Sequence, residues 1–366
     1  MYKEILKKPD GRQLLLYSRE PIDPAIVATS PSPDPVSVQG AHMRWHPLRG
    51  EWVAYSGHRQ NRTFLPPKEF NPLAPTRGKE FPTELPAGEY DIAVFENMFP
   101  TLSRLASDAP DHPGVSTMPS TGACEVVVFT KDSEASLGTL PLDHIALILE
   151  VWGDRYRELG SRDDIEYLLP FENRGVEVGV TLHHPHGQIY AYPFVPPVPA
   201  KQQVEEKAYF QDKGTALISD FVEREVRDKV RMIYEGERAV AFVPVCARYP
   251  YEVWIAPRRR LASMAEMDDL DRKDFAKALK TVLLKYDNLW KRPFPYLMVA
   301  YQAPTDGELH PESHFHFEFF PPYRTSDRLK FLAGTEIGAG MFANDAFPEE
   351  KAKELQAIEV NLDAIK

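Results

Sequence analysis

Cysteine is nearly missing from this chain, with Cys124 and Cys246 the only two in 366 residues. Two thiols cannot build a disulfide framework, and on their own they cannot form a thiolate metal centre. A reducing cytoplasm is the expected compartment. The sequence also has no apolar run approaching the roughly 20 residues that a membrane-spanning helix needs. Its first residues, Met1-Tyr2-Lys3-Glu4-Ile5-Leu6-Lys7-Lys8, lack the apolar stretch of a secretory signal. Positive charge is in deficit: 43 Lys and Arg stand against 54 Asp and Glu, a formal net charge of -11. No surplus of cations is left to displace counterions from a nucleic-acid backbone, so no nucleic-acid partner is expected. A small phosphorylated ligand needs only a local set of donors, and Arg44, Arg49, Arg59 and Arg62 cluster in sequence.

What is present describes a soluble globular protein, with 43% hydrophobic and 27% charged residues. The length suits one large domain or two ordinary ones. Proline is abundant at 34 residues and is concentrated at 21–35 and 193–199, which are expected to be connectors outside regular elements. Apolar spacing predicts a helix over Leu142–Leu159 through Ile145, Leu149 and Trp152. A charged helix or helix pair is expected over 202–230. A third helix is predicted over Asp268–Trp290, opening on acidic residues and running through Phe275, Leu279, Val282 and Leu289. These stripes predict core packing and no ligand surface.

The richest segment is His183-His184-Pro185-His186-Gly187-Gln188, bracketed by Val178-Gly179-Val180 and Ile189-Tyr190-Ala191-Tyr192. Its flanks favour strands. On a strand His184, His186 and Gln188 share one face, with Gly187 keeping the backbone accessible. A largely neutral imidazole can act as a nucleophile at pH 7. A metal-binding or merely exposed histidine cluster is the competing reading of the motif alone. The chain also repeats itself. Residues 93–100 parallel 241–250, 124–129 parallel 251–256, and a long helix follows each. Then 167–173 parallel 296–302, and His184-Pro185-His186-Gly187-Gln188 parallels His314-Phe315-His316-Phe317-Glu318. A duplicated α+β unit with antiparallel sheets and packed helices follows, split into 1–200 and 201–366, with a histidine strand in each copy.

A His-x-His strand, Asn173 on the strand before it and a distant arginine cluster suggest phosphoryl or nucleotidyl transfer, in which positioning and phosphate-directed donors lower the barrier. Arginine suits this because its charged planar fork matches phosphate. Here the sequence resembles the galactose-1-phosphate uridylyltransferase family, a transferase branch of the histidine-triad superfamily. The resemblance rests on His184-Pro185-His186-Gly187-Gln188, on Arg44-Trp45-His46-Pro47-Leu48-Arg49-Gly50-Glu51-Trp52 with His58-Arg59-Gln60-Asn61-Arg62, and on Phe171-Glu172-Asn173-Arg174-Gly175. Pro321-Pro322, Lys330-Phe331, Ala333-Gly334 and Glu336 extend it toward the C-terminus.

The resemblance implies two histidine-triad-like halves and a two-step exchange in galactose metabolism. His186 would take a uridylyl group from UDP-glucose and pass it to galactose 1-phosphate. A backbone carbonyl at position 184 would fix the His186 tautomer, and Gln188 would donate to a nonbridging phosphate oxygen. Hydrolases of the superfamily carry a third histidine where Gln188 stands. Glutamine cannot exchange a proton at neutral pH, which favours transfer. Asn97, Met98, Asn173, Thr181, Lys330, Phe331 and Glu336 match substrate-contacting positions. Arg59 and Arg62 match arginines that reach across from a neighbouring subunit, implying a homodimer with shared active sites.

The match fails at the metals. Zinc-containing relatives carry Cys-x-x-Cys where this chain has Asn71-Pro72-Leu73-Ala74-Pro75, and their histidine ligand aligns with Ser133. Only His184 remains of four ligands, so no structural zinc is expected, and His184 should brace the catalytic strand through a hydrogen bond. The second site of some relatives, an iron site, falls on Gln202, Tyr301, His316 and Glu318. His316 and Glu318 remain plausible ligands there for iron or zinc, and His310 and His314 could rebuild the site. Metal and no metal stay open at that position, and no cofactor is required. Two readings compete with uridylyl transfer: an adenylyl-transferring relative acting on ADP-glucose or a similar donor, and a noncatalytic nucleotide-sugar binder. Intact His186 and Gln188 weigh against the second.

Overall fold

β-branched and aromatic runs punctuated by glycine and proline fold into a series of short strands, and each half of the chain adds one long helix to its own set. The structure, a computed structural model, describes residues 1–61, 65–67, 70–78 and 81–362. In the first half these are β1 (Tyr2–Lys7), β2 (Gln13–Ser18), β3 (His42–His46), β4 (Glu51–Tyr55), β5 (Ile92–Glu96), β6 (Thr117–Pro119), β7 (Ala123–Val128), α1 (Leu142–Gly160), β8 (Tyr167–Arg174) and β9 (His186–Tyr192). The second half holds α2 (Pro197–Lys213), α3 (Leu217–Asp228), β10 (Met232–Glu235), β11 (Ala239–Phe242), β12 (Val253–Pro257), α4 (Asp269–Leu289), β13 (Tyr296–Tyr301), β14 (His316–Phe320), β15 (Tyr323–Thr325), β16 (Arg328–Leu329) and α5 (Pro348–Gln356).

The internal repeat is written into the sheet. Eleven strands form one sheet in the order β1-β2-β5-β7-β9-β8-β13-β14-β12-β11-β10. Counting outward from its centre, β8 answers β13, β9 answers β14, β7 answers β12 and β5 answers β11. The halves join by antiparallel pairing of β8 with β13, in the register Arg174↔Tyr296, Asn173↔Leu297, Glu172↔Met298 and Phe171↔Val299. The fold is α+β with antiparallel pairing, as the repeat implied, but the two halves share a single sheet. β4-β3-β6 form a separate small sheet, and β15-β16 a two-stranded ribbon.

Helices α1 and α4 pack on the same side and share one core with both halves. Val127, Ile145, Leu149 and Trp152 of the first half belong to the same buried cluster as Ile255, Phe275, Leu279 and Phe317 of the second. The start of α4 shows why it forms there. Asp268 accepts from the Asp271 amide at 2.8 Å, and the Asp271 carboxylate accepts from the Asp268 amide at 3.1 Å, satisfying two donors that a helix start leaves open. The expected charged segment is a pair, α2 and α3. One expectation fails: the proline run at 193–199 is not all connector, because α2 begins at Pro197 and Pro199 is buried in its first turn. Proline lacks only an N–H that the first turn cannot use, so it is compatible with that position.

Candidate active site

Strand β9 lies between β7 and β8, with Gln188 opposite Val126 on one side and Phe171 on the other. Its burial alternates: Gly187, Ile189 and Ala191 face the core, whereas His186, Gln188, Tyr190 and Tyr192 are half-buried on the other face. Gly187 is needed for that core face. A Cβ there would sit 2.8 Å from the Phe129 ring and 3.0 Å from the Phe171 carbonyl. Its role is to admit its neighbours, and not, as expected from sequence, to expose backbone. Gly187→Ala should therefore lower stability by about 1–3 kcal/mol through overpacking, read as a lower denaturant midpoint at unchanged slope.

The strand begins at His186, so strand alternation does not set the direction of His184, contrary to the expectation that both lie on one strand face. Pro185 has no N–H to give a ladder, and the pairing starts just after it. His184 instead sits in a bend and is buried. The bend is pinned to the end of β7: the Phe129 amide donates to the Pro185 carbonyl at 3.2 Å, and His184 Nε2 lies 2.7 Å from the Thr130 carbonyl. A carbonyl only accepts, so Nε2 carries the proton and Nδ1 the lone pair. Nδ1 is met at 2.9 Å by the Asn71 amide nitrogen.

The same logic assigns His186. Its Nδ1 lies 2.7 Å from the His184 carbonyl and must donate, which leaves the lone pair on Nε2. No described residue bonds Nε2. Burial pushes the His186 pKa below its ordinary value, with the bond to His184 partly offsetting this, so the ring is neutral at pH 7. His186 lines a cavity of about 1030 Å³ together with Asn71, Ser133, Asn173, Arg174, His184, Lys291 and Arg292. A neutral imidazole at the edge of an open cavity, with Nε2 bonded by no described residue, suits attack on a phosphorus centre.

Two models describing the galactose-1-phosphate uridyl transferase N-terminal and C-terminal domains match residues 34–196 and 202–365. The chain belongs to the galactose-1-phosphate uridyl transferase family. It is 40% identical to the galactose-1-phosphate uridylyltransferase of Thermotoga maritima over 87% of this chain and 99% of that one. Among solved structures it resembles a uridylyltransferase with a TM-score of 0.78 at 32% identity, covering 86% of this chain and 97% of the other. It also resembles an ADP-glucose phosphorylase from Arabidopsis thaliana with bound ADP-glucose, with a TM-score of 0.66 at 25% identity, covering 87% and 99%.

The family's other described positions fall in several parts of the fold. Asn173 lines the cavity, and Gln188 lies on the His186 face just outside its lining. Arg59 donates to the Phe99 carbonyl at 2.7 Å, and Asn97 accepts from the Phe99 amide at 2.8 Å, so both shape the turn after β5. Met98 is half-buried beside them. Thr181 accepts through its carbonyl from the Leu65 amide at 2.8 Å. Lys330 and Glu336 form a buried pair at 3.5 Å that closes a loop, with Phe331 79% exposed on it. Arg62 lies outside the described residues. Sequence reasoning missed Glu172, a buried cavity residue bonded to the Tyr296 hydroxyl at 2.8 Å, whose pKa burial raises to about 7. Lys291 and Arg292 were missed too, as they carry no motif.

The second half repeats the geometry with the corresponding ring nitrogen, Nε2 of His316, bonded to a carboxylate. His316 Nδ1 lies 3.1 Å from the His314 carbonyl, and His316 Nε2 lies 3.2 Å from Glu318 Oε1. Glu318 stands where the first half has Gln188. Burial lowers the His316 pKa, but the Glu318 carboxylate, together with Glu206 and the His314 carbonyl, outweighs it and the net shift is upward. Arg248 donates to the other Glu318 oxygen at 3.2 Å. A metal ion does not suit a carboxylate already held by a guanidinium and an imidazole. His310 and His314 do not rebuild a site: His310 bonds Asp306 and Glu312 at 2.9 and 3.1 Å, and His314 bonds Ser219 and the Pro257 carbonyl, both at 2.9 Å. Nor do the zinc positions fit that ion, because Ala74 offers no donor and the amide of Asn71 already occupies the free nitrogen of His184. Among the described residues, no group of three or more His, Cys, Asp or Glu is placed to hold a metal.

Proposed function

We propose that the protein exchanges a uridylyl group between UDP-glucose and galactose 1-phosphate through a covalent intermediate on His186. The observation that carries this reading is the His186 tautomer, with Nδ1–H held by the His184 carbonyl and Nε2 bonded by no described residue, on a ring that lines the cavity. Nε2 attacks the α-phosphorus of UDP-glucose, and the bond to the glucose 1-phosphate oxygen breaks with its electron pair on that oxygen. The ring becomes cationic, and the His184 carbonyl stabilises its Nδ1–H. A phosphate oxygen of galactose 1-phosphate then attacks the same phosphorus, the N–P bond breaks, and His186 returns neutral. One histidine serves both steps because the two sugar phosphates are nearly alike.

Gln188 donates to a nonbridging oxygen, and Asn173 orients substrate from β8. Arg59 and Arg62 reach substrate from a second copy of the chain, and Lys330, Phe331 and Glu336 contact it, a reading that the exposure of Phe331 supports. The protein works without zinc, iron or another cofactor. Among the described residues no helix is long and apolar enough to cross a membrane.

The likeness to an ADP-glucose phosphorylase supports a second reading, adenylyl transfer from ADP-glucose through the same His186. Intact-mass measurement after incubation with each donor separates the two. A uridylyl adduct from UDP-glucose supports the first reading and an adenylyl adduct from ADP-glucose the second. No adduct with either removes covalent transfer. The depressed His186 pKa also fixes a pH dependence. Only the neutral ring attacks, and it persists to lower pH when the pKa falls, so the acid limb of the adduct-forming rate should have its midpoint below 6.5. A midpoint above that value contradicts the assignment.

A further inference from the structure

Asn71 stands where zinc-containing relatives place a thiolate, yet it makes a specific contact of its own. Its side-chain oxygen accepts from the Leu73 amide at 3.0 Å, which fixes the orientation of the amide and turns the nitrogen to His184 Nδ1 at 2.9 Å. His184 then donates from Nε2 to the Thr130 carbonyl and accepts from His186 through its own carbonyl. An unbroken chain of directional bonds runs from Leu73 through Asn71 and His184 to the nitrogen opposite the lone pair of His186. All three side chains, Asn71, His184 and His186, border the same cavity.

We propose that Asn71 is a positioning residue for the nucleophile: a hydrogen-bonded brace in the place of a metal centre. The proposal rests on the reading of His186 as the residue that takes the uridylyl group. With Asn71 in place, His184 has one satisfied tautomer and one ring orientation, and its carbonyl is held where His186 Nδ1–H needs it. Without that donor, Nδ1 of a buried ring loses its partner, and the bend carrying the carbonyl is free to relax.

The second half shows the same brace built from other parts. There the Ser219 hydroxyl meets His314 Nδ1 at 2.9 Å, the Pro257 carbonyl accepts from Nε2 at 2.9 Å, and the His314 carbonyl holds His316 Nδ1 at 3.1 Å. A side chain on Nδ1 and a carbonyl on Nε2 thus occur in both halves from unrelated residues. Because the noncatalytic half keeps this brace, a loss of stability alone does not distinguish positioning from packing. The decisive variant is Asn71→Asp, which keeps the shape but turns an oxygen toward the Nδ1 lone pair.

Both Asn71→Ala and Asn71→Asp should slow single-turnover adduct formation from UDP-glucose by roughly tenfold or more, the scale of one net hydrogen bond felt in the transition state. The Kd for UDP-glucose should change little. Nitrogen-15 NMR of the histidines should show His184 protonated at Nε2 in the unmodified protein and redistributed in both variants. A wild-type rate in Asn71→Asp overturns the proposal, as does His184 protonated at Nδ1, or one zinc per chain in the unmodified protein. If the unmodified protein forms no adduct, the His186 reading fails, and the NMR result still decides the brace on its own.

Discussion

Asn, Gln or Ala at position 186 should end turnover, and His186→Ala is the cleanest case. The variant should exchange UDP-glucose with galactose 1-phosphate at least roughly 10⁴-fold more slowly and gain no uridylyl mass, as expected when a covalent nucleophile is removed. The rest of the site survives the change. Among the described residues the His186 side chain makes one bond, through Nδ1, to the His184 carbonyl. The His184 ring keeps its partners Asn71 and Thr130. Thermal unfolding near the unmodified midpoint shows that the loss is chemical. Activity within a hundredfold of normal would mean that another group carries the transfer.

Gln188→Glu should be nearly as damaging, for a reason the protein itself displays. Glu318 occupies the matching place in the second half and lies 3.2 Å from His316 Nε2, the nitrogen that must stay open in His186. There, burial lowers the histidine pKa, and the carboxylate, with Glu206 and the His314 carbonyl, reverses the shift. A glutamate at 188 would hold His186 the same way, occupy its lone pair by protonating it, and set a negative charge against a phosphate. The exchange rate should fall by roughly 10²- to 10³-fold, comparable to losing one transition-state donor. A raised pKa keeps more of His186 protonated, so residual activity should climb as pH rises past it. A variant within tenfold of normal, with an unshifted acid limb, sinks this account of position 188.

Legibility in the sequence followed the range of the signals. The helix at Asp269–Leu289 was readable because Asp268 and the apolar positions that follow act within a few turns. The repeat was readable because each half folds the same local order of strands and helix, and the sheet then orders them about β8 and β13. The family resemblance pointed to His186 and to the carbonyl at position 184, and the bond from His186 Nδ1 to that carbonyl forms between residues two apart in sequence. What stayed hidden depended on distance. Nothing near Glu172 announces its burial against Tyr296, and nothing near Asn71 says that its amide meets a ring at position 184. The substitution at 71 read as a ligand lost, although the residue type was already that of a donor. His184 was misplaced for a local reason, since a proline between two histidines ends the alternation that would have put them on one face.

The pairing of β8 with β13 makes the molecule a dimer folded into one polypeptide, with its own seam. Asn173 sits on that seam opposite Leu297, next to the strand that carries His186. The second half is the wall against which the first is held. Separating the two would strip β8 of its neighbour and leave an open strand edge beside the nucleophile, the kind of edge that invites foreign strands. The half with the diverged copy of the motif is thus the reason His186 has a finished sheet to stand in.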